Sequence, residues 1–353
     1  MKLLTTYILL IEYSNDDRTT NNFRLLLYLA HTIFVIGITC YKICILNYKT
    51  IGELFEYEIK LYLAQLINNN VMTINPNQKV AVITGSSSGI GLETSLTLAR
   101  NGFLTYATAR SIEKGTRINT AATDKEKLPI KVVQLDVTDN QSVNNAIETI
   151  VSETGRIDVL VNNAGYGLGG AFEDLSLEEI KAQYETNLFG LIRTTQAVLP
   201  IMRKQKSGMI VNISSGAGRF GYPGGSAYVS TKFAVEGLSE SIAYELEPFG
   251  IKVVLIEPGF IRTNFANAMV IAKKSQDPSS PYSQMMQKVA ANSSEMAMNG
   301  SSVEVVAKVI LEAVTSKNPN LRYLAGKDVE TWAANKKTMN DAEFYNMIKD
   351  LAQ

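Results

Sequence analysis

The chain reads as an α/β protein built on a doubly wound, mostly parallel seven-stranded sheet with helices on both faces, preceded by an apolar helical extension. Three observations carry that expectation. Seven apolar runs of strand length alternate with helical patterns from Lys79 onward. A glycine-rich loop follows the first run and opens a helix. The residues suited to chemistry fall at the ends of the runs, where a doubly wound sheet binds its ligands.

Residues 1–71 differ in character from the rest of the chain. Leu25 to Tyr41 carries no charge, Lys42 ends that stretch, and Ile43 to Leu46 is apolar again. A spanning helix needs about 20 predominantly apolar residues and at the least about 17, so 25–46 is a candidate membrane anchor. The Leu3–Ile11 run is too short to span, lacks a small-residue cleavage site and meets Glu12, which argues against a cleaved signal peptide. Three readings stay open: an anchor in or on a membrane, a soluble helical extension packed on the main domain, or upstream sequence outside the working protein. The last has a motive in Met72, which begins a short polar lead into the first strand. Residues 72–353 are then expected to form one catalytic domain on the cytoplasmic side, with any membrane association made through 25–46.

The strand-length runs are Val80–Thr84, Phe103–Ala109, Ile130–Leu135, Val159–Asn162, Met209–Ser214, Val253–Glu257 and Leu321–Leu324. Near-continuous apolar runs separated by helices indicate a parallel sheet buried on both faces. Right-handed crossovers then wind it in two directions. Gly85, Arg110, Asp136, Asn163, Ser215 and Pro258 all stand at or just past a strand end.

Thr84-Gly85-Ser86-Ser87-Ser88-Gly89-Ile90-Gly91 has the strand, loop, helix order of a nucleotide site. Glycines let backbone approach a pyrophosphate, and the helix N-terminus offers it free N–H groups and a favourable dipole. The second strand ends in Arg110, with no carboxylate to bind a ribose diol. An arginine there can pair with a 2′-phosphate, which favours NADP over NAD. Asp136 can accept from an adenine amino group, and Asn163 in Asn162-Asn163-Ala164-Gly165 can tie neighbouring strands. Either can equally be a turn residue.

Ser215, Tyr228 thirteen residues on, and Lys232 one helical turn later form the chemical centre. Tyr-x-x-x-Lys also occurs at Tyr323/Lys327 and Tyr345/Lys349, but the residues thirteen before those tyrosines are Ile310 and Trp332. The chain's one histidine, His31, and its two cysteines, Cys40 and Cys44, all precede Met72. Imidazole, thiolate and Cys/His zinc chemistry are therefore excluded from the main domain, and no metal site is expected. Gly85–Gly89 matches a G-x-S-x-G nucleophile elbow, yet no histidine follows to complete a triad. An acid/base step then falls to tyrosine, lysine or a carboxylate. Lys232 is expected to draw the Tyr228 phenol below its ordinary pKa of about 10. The 34 basic and 34 acidic residues balance, so no field points to nucleic acid.

With these residues in place, the segment from about Met72 to Gly326 resembles the short-chain dehydrogenase/reductase family, in its shorter oxidoreductase branch, and so a Rossmann fold. Thr84–Gly91 is similar to that family's T-G-x-x-x-G-x-G, Asn162–Gly165 to its N-N-A-G, Tyr228–Lys232 to its Y-x-x-x-K, and Pro258–Thr263 to its P-G-x-x-x-T. The Ala107–Arg110 strand end resembles the NADP-preferring group that includes hydroxysteroid and retinol dehydrogenases. The resemblance implies that Asn187, Ser215, Tyr228 and Lys232 are catalytic. It implies a cofactor site made by Gly85, Ser87, Ser88, Gly89, Ile90, Gly91, Arg110, Asp136, Val137, Asn163, Ala164, Gly165, Tyr228, Lys232, Pro258, Gly259, Ile261 and Thr263. Ser215 would hold the substrate oxygen, Asn187 would fix a water linking Lys232 to solvent, and Ile261 and Thr263 would hold the nicotinamide carboxamide. The substrate would be a hydrophobic alcohol, ketone or aldehyde, and the assembly a homodimer or homotetramer. Tyr166, Phe220, Tyr222 and Phe260 are expected to wall the substrate pocket, with Phe265–Ser301, which lacks clear periodicity, as a mobile lid. Two other classes remain: a non-catalytic NADP-binding regulator, and a membrane-tethered scaffold working through residues 1–71.

Overall fold

The structure, a computed structural model, describes residues 78–111, 113, 127–263 and 269–350. The expected extension over 1–71 and its candidate anchor at 25–46 lie outside the described residues, as do 265–268 of the expected lid. Among the described residues no helix is long and apolar enough to cross a membrane.

The chain runs β1 (Val80–Ile83), α1 (Gly89–Arg100), β2 (Leu104–Ala109), β3 (Ile130–Gln134), α2 (Asn140–Thr154), β4 (Val159–Asn162) and the short β5 (Leu168–Gly169). Next come α3 (Leu177–Tyr184), a π-helical turn over Glu185–Phe189, α4 (Gly190–Gln205), β6 (Gly208–Ile213) and α5 (Ser226–Leu246). It ends with β7 (Ile251–Pro258), the short β8 (Val270–Ile271), α6 (Ser283–Met298), α7 (Val303–Thr315), β9 (Arg322–Ala325), α8 (Lys327–Thr338) and α9 (Asp341–Lys349).

Seven strands form one parallel sheet in the order β3-β2-β1-β4-β6-β7-β9. The chain winds outward from β1 to β3, crosses back to β4, and winds the other way. That reversal puts the crevice between the carboxyl ends of β1 and β4. Each of the seven strands lies within two residues of the run that predicted it. β1 shows why they are legible: Val80, Ala81, Val82 and Ile83 are all fully buried. Ala81 and Ile83 join a core with Leu98 of α1 and Val306 and Ile310 of α7 on one face. On the opposite face Leu191 of α4 and Val235 of α5 pack on Leu255.

Two features were not foreseen. β5 and β8 form a two-residue parallel pair, Leu168 with Val270 and Gly169 with Ile271. The aperiodic stretch expected as a lid contains α6, a 16-residue helix. None of its residues is fully buried, and polar residues such as Asn292 and Ser293 interrupt the face it turns to the second cavity, so no clear apolar stripe is legible. Its Met, Ala, Gln, Lys and Glu residues supply helix propensity instead.

Polar groups knit the sheet to its helices. Asn162 donates to Thr195 Oγ1 (2.9 Å) and Asn212 Oδ1 (2.9 Å) and accepts from Thr194 Oγ1 (2.6 Å). Asn212 donates onward to Ser239 Oγ (2.8 Å). This network ties β4, β6, α4 and α5 together with few geometric options, because a buried group left unpaired is costly. Asn212→Leu leaves Asn162 and Ser239 without that partner. It should cost about 2–4 kcal/mol in urea unfolding; a loss under about 0.5 kcal/mol, the range of neutral surface changes, would show that the network contributes nothing.

A second cluster is ionic. Arg322 of β9 reaches Glu236 (2.9 Å), Glu240 (3.0 Å) and Glu257 (3.6 Å), and Arg219 donates to Glu257 from the other side. Glu257 is fully buried in β7. Burial raises its carboxyl from 4.5 to about 7, with Arg219 opposing and Glu236 adding to the rise. A folded pKa above the unfolded one means stability that is full below about pH 4.5 and lost as pH rises through about 7. Glu257→Gln should therefore flatten the fall in Tm between those limits. Parallel Tm-against-pH curves for variant and parent would refute the titration.

Candidate active site

The loop after β1 is shaped by glycine. Gly85 (φ +68°) and Gly89 (φ +59°) adopt left-handed conformations, and a Cβ on Gly85 would stand 2.9 Å from Ala164 Cα. Gly91 lies behind the loop, where a Cβ would stand 2.5 Å from both Asn163 Nδ2 and Gly85 O. Asn163 Nδ2 donates to Thr84 O (2.9 Å) and Gly85 O (3.1 Å). In return, Thr84 Oγ1 accepts the N–H groups of Asn163 and Ala164, both at 3.0 Å. The Ser88 side chain makes no capping bond to α1, and no acidic residue stands in the first turn. That helix N-terminus is suited to an anion.

A cleft of about 910 Å³ opens above this loop. Every residue of the expected cofactor set lines it except Gly91, whose part is to let α1 approach β4. Arg110 is exposed at the far end of the cleft. Asp136 Oδ1 accepts from the main chain (2.9 Å) and hydroxyl (2.8 Å) of Thr138, so a turn occupies one of its oxygens. Thr263 closes over Gly89, with its Cβ 3.6 Å from where a Cβ on that glycine would stand. Left-handed glycines, an uncapped helix end and a long cleft across the sheet reversal fit a nicotinamide dinucleotide.

Ser215, Tyr228 and Lys232 meet at the other end of the cleft. Ser215 begins a tight turn after β6, and its hydroxyl hydrogen-bonds the Tyr228 phenol. Lys232 Nζ lies 5.6 Å from the Tyr228 ring centre and donates to Ile213 O (2.8 Å). Burial pushes Tyr228 up to about 12, with the Ser215 hydrogen bond pulling the other way. Burial also pushes Lys232 down to about 8, opposed by Glu236 one turn further along α5. The phenol shift therefore runs opposite to the sequence expectation, because desolvation of the phenolate outweighs the Ser215 hydrogen bond.

Asn187 does not line the cleft. It is buried in the π-helical turn, where Nδ2 donates to Tyr166 O (2.9 Å) and Thr231 Oγ1 (3.3 Å) and Oδ1 accepts from Tyr166 N–H (3.0 Å). Both amide donors are taken, and they brace the Gly165–Tyr166 strand end against α5. Of the other tyrosine–lysine pairs, Tyr323 accepts an N–H from Asn320 and Tyr345 is an exposed residue of α9.

A second cavity of about 310 Å³ shares Ser215, Tyr228, Pro258, Gly259 and Ile261 with the cleft. Phe220, Tyr222 and Phe260 line it as expected, whereas Tyr166 lines the cleft. Met286 and Val289 of α6 and Trp332 of α8 complete the wall and were missed. Trp332 packs 5.2 Å from Phe220 and 6.1 Å from Phe260, between ring centres. The one signal for it was a lone tryptophan within a mostly polar helix.

Comparison with known proteins agrees with this geometry. A family model described as short chain dehydrogenase matches residues 79–274. Oxidoreductase BOA17 of Botryotinia fuckeliana is 40% identical over 260 residues, covering 72% of this chain and 91% of that one. A 3-ketodihydrosphingosine reductase of Bacteroides thetaiotaomicron is 36% identical over 263 residues, covering 74% and 92%. Among solved structures, a short-chain dehydrogenase from Streptomyces avermitilis aligns with a TM-score of 0.67 at 32% identity, over 78% of this chain and 98% of that one. An alcohol dehydrogenase from Thermococcus sibiricus, complexed with 5-hydroxy-NADP, aligns with a TM-score of 0.58 at 26% identity, over 71% and 97%. The chain belongs to the short-chain dehydrogenase family of oxidoreductases.

Proposed function

We propose that this protein interconverts an apolar alcohol and its carbonyl compound with NADP(H), using Tyr228 as general acid and base. The observation that carries the reading is the meeting of Ser215, Tyr228 and Lys232 at the rim shared by the nucleotide cleft and the apolar cavity. When bound, a nicotinamide cofactor supplies the hydride in reduction or takes it in oxidation. The loop from Gly85 to Gly89 and the N-terminus of α1 hold the pyrophosphate, and Arg110 pairs with the 2′-phosphate. Ile261 and Thr263 hold the carboxamide.

Ser215 donates to the substrate oxygen and fixes it beside Tyr228. A phenol pushed up to about 12 is protonated at neutral pH and ready to give its proton to a carbonyl oxygen. Lys232, pushed down to about 8 by burial, keeps a cation beside the phenolate that remains. Asn187 supports this pair by bracing Tyr166 and Thr231. The aromatic and methionine lining of the second cavity favours a hydrophobic carbonyl compound. The relative named for 3-ketodihydrosphingosine supports the same class.

Tyr228→Phe removes the proton donor and little else. Turnover with NADPH and a carbonyl substrate should fall by about 10²–10⁴-fold, while NADPH binding by fluorescence titration stays close to the parent value. Substantial residual turnover would overturn the role. For the cofactor, the ratio of kcat/KM with NADPH to that with NADH should exceed one in the parent and invert in Arg110→Asp, which replaces a phosphate partner by a ribose-diol acceptor. An unchanged ratio would remove Arg110 from cofactor selection.

A further inference from the structure

The apolar cavity has a charged spot. Asp328, the second residue of α8, lines it among aromatic, aliphatic, methionine and neutral polar groups. One carboxylate oxygen, Oδ2, accepts the Phe260 N–H at 2.6 Å. Among the described residues the other oxygen has no hydrogen-bond partner, and no Lys or Arg pairs with the group.

The position of this carboxylate is built in. A Cβ on Gly259 would stand 2.2 Å from Asp328 Oδ1 and 2.3 Å from Oδ2, and one on Gly326 would stand 2.7 Å from Oδ1. The acid thus sits directly against the Pro258–Gly259 turn, which lines both cavity and cleft. The next residue, Val329, stands 2.9 Å from where a Cβ on Gly216 would be, beside Ser215. Asp328 is therefore flanked by the two turns that carry the reacting end of the site.

We propose that Asp328 is a specificity residue that binds an ammonium group, and that the substrate is an apolar carbonyl compound or alcohol with a primary amine close to the reacting carbon. The identity of the reacting end rests on the alcohol–carbonyl reading above; the cation site itself rests on the cavity. A carboxylate in an apolar, partly desolvated wall attracts a cation far more strongly than it would in water. A charge-assisted hydrogen bond to its open oxygen completes the pair. A neutral chain of the same length gains the apolar contacts and leaves that charge unpaired.

The chain's one tryptophan, Trp332, lines the cavity, so its fluorescence reports occupancy independently of catalysis. Titration of the full-length protein at pH 7 should give a Kd for octylammonium at least about tenfold below those for 1-octanol and N-octylacetamide, a gap of about 1.4 kcal/mol. D328N keeps an acceptor for the Phe260 N–H and removes the charge, and should bring the three affinities together. Equal affinities in the parent, or a preference that survives in D328N, would overturn the proposal. The parent comparison decides it even if the variant fails to fold. Turnover of an α-amino ketone and its des-amino counterpart with NADPH separates the two readings: no turnover of either, with the binding preference intact, sinks the alcohol–carbonyl reading and leaves the cation site supported.

Discussion

Four hydrogen bonds between Thr84 and Asn163, and their immediate neighbours, hold the site's frame. The Thr84 hydroxyl takes two main-chain N–H groups from the end of β4, and the Asn163 amide returns two bonds to the end of β1. This reciprocal clamp spans the place where the sheet reverses direction. It sets the height of the glycine loop, and Gly91 is the residue that lets α1 lie close enough for the clamp to close. The pyrophosphate end of the cleft depends on that loop, and the reacting end takes its distance from it.

At the reacting end, burial imposes a chemistry that sequence spacing cannot express. It raises Tyr228 to about 12 and lowers Lys232 to about 8, so at neutral pH the phenol keeps its proton beside a lysine that is still mostly charged. Glu236 continues the line from Lys232 along α5, and Arg322 binds that carboxylate while approaching Glu257. The ionic cluster thus joins α5, the end of β7 and β9 one helical turn beyond Lys232. A rigid backing of this kind suits a step whose geometry must be kept within tenths of an ångström.

The strands and the convergence of Ser215, Tyr228 and Lys232 on one cleft were legible because each has a strong local signal. Buried parallel strands read as unbroken apolar runs, as Val80–Ile83 does. Ser215, Tyr228 and Lys232 are set by spacing and by the lack of histidine downstream. The β5–β8 pair, the helix α6 and the Trp332 wall have no comparable pattern. α6 is half-exposed along its length, and Leu168 meets Val270 across about a hundred intervening residues, a pairing that tertiary context alone decides. Asp328 has no pattern that singles it out in the sequence, and only the proximity of Gly259 and Phe260 gives it a meaning. For Tyr228, the direction of its pKa shift required knowing how deeply it is buried.

The clamp between Thr84 and Asn163 joins residues 79 positions apart in the chain. While the chain is being made, the glycine loop leaves the ribosome long before its partner exists. Until Asn163 emerges, the Thr84 and Gly85 carbonyls lack their amide donor, and the left-handed glycines sample many shapes at little cost. A truncated nascent chain that ends before β4 therefore carries the nucleotide motif in full and has no site to show for it. Competence to take up a dinucleotide therefore comes late in synthesis, once β4 has closed the clamp and the Pro258–Thr263 segment that also lines the cleft has followed.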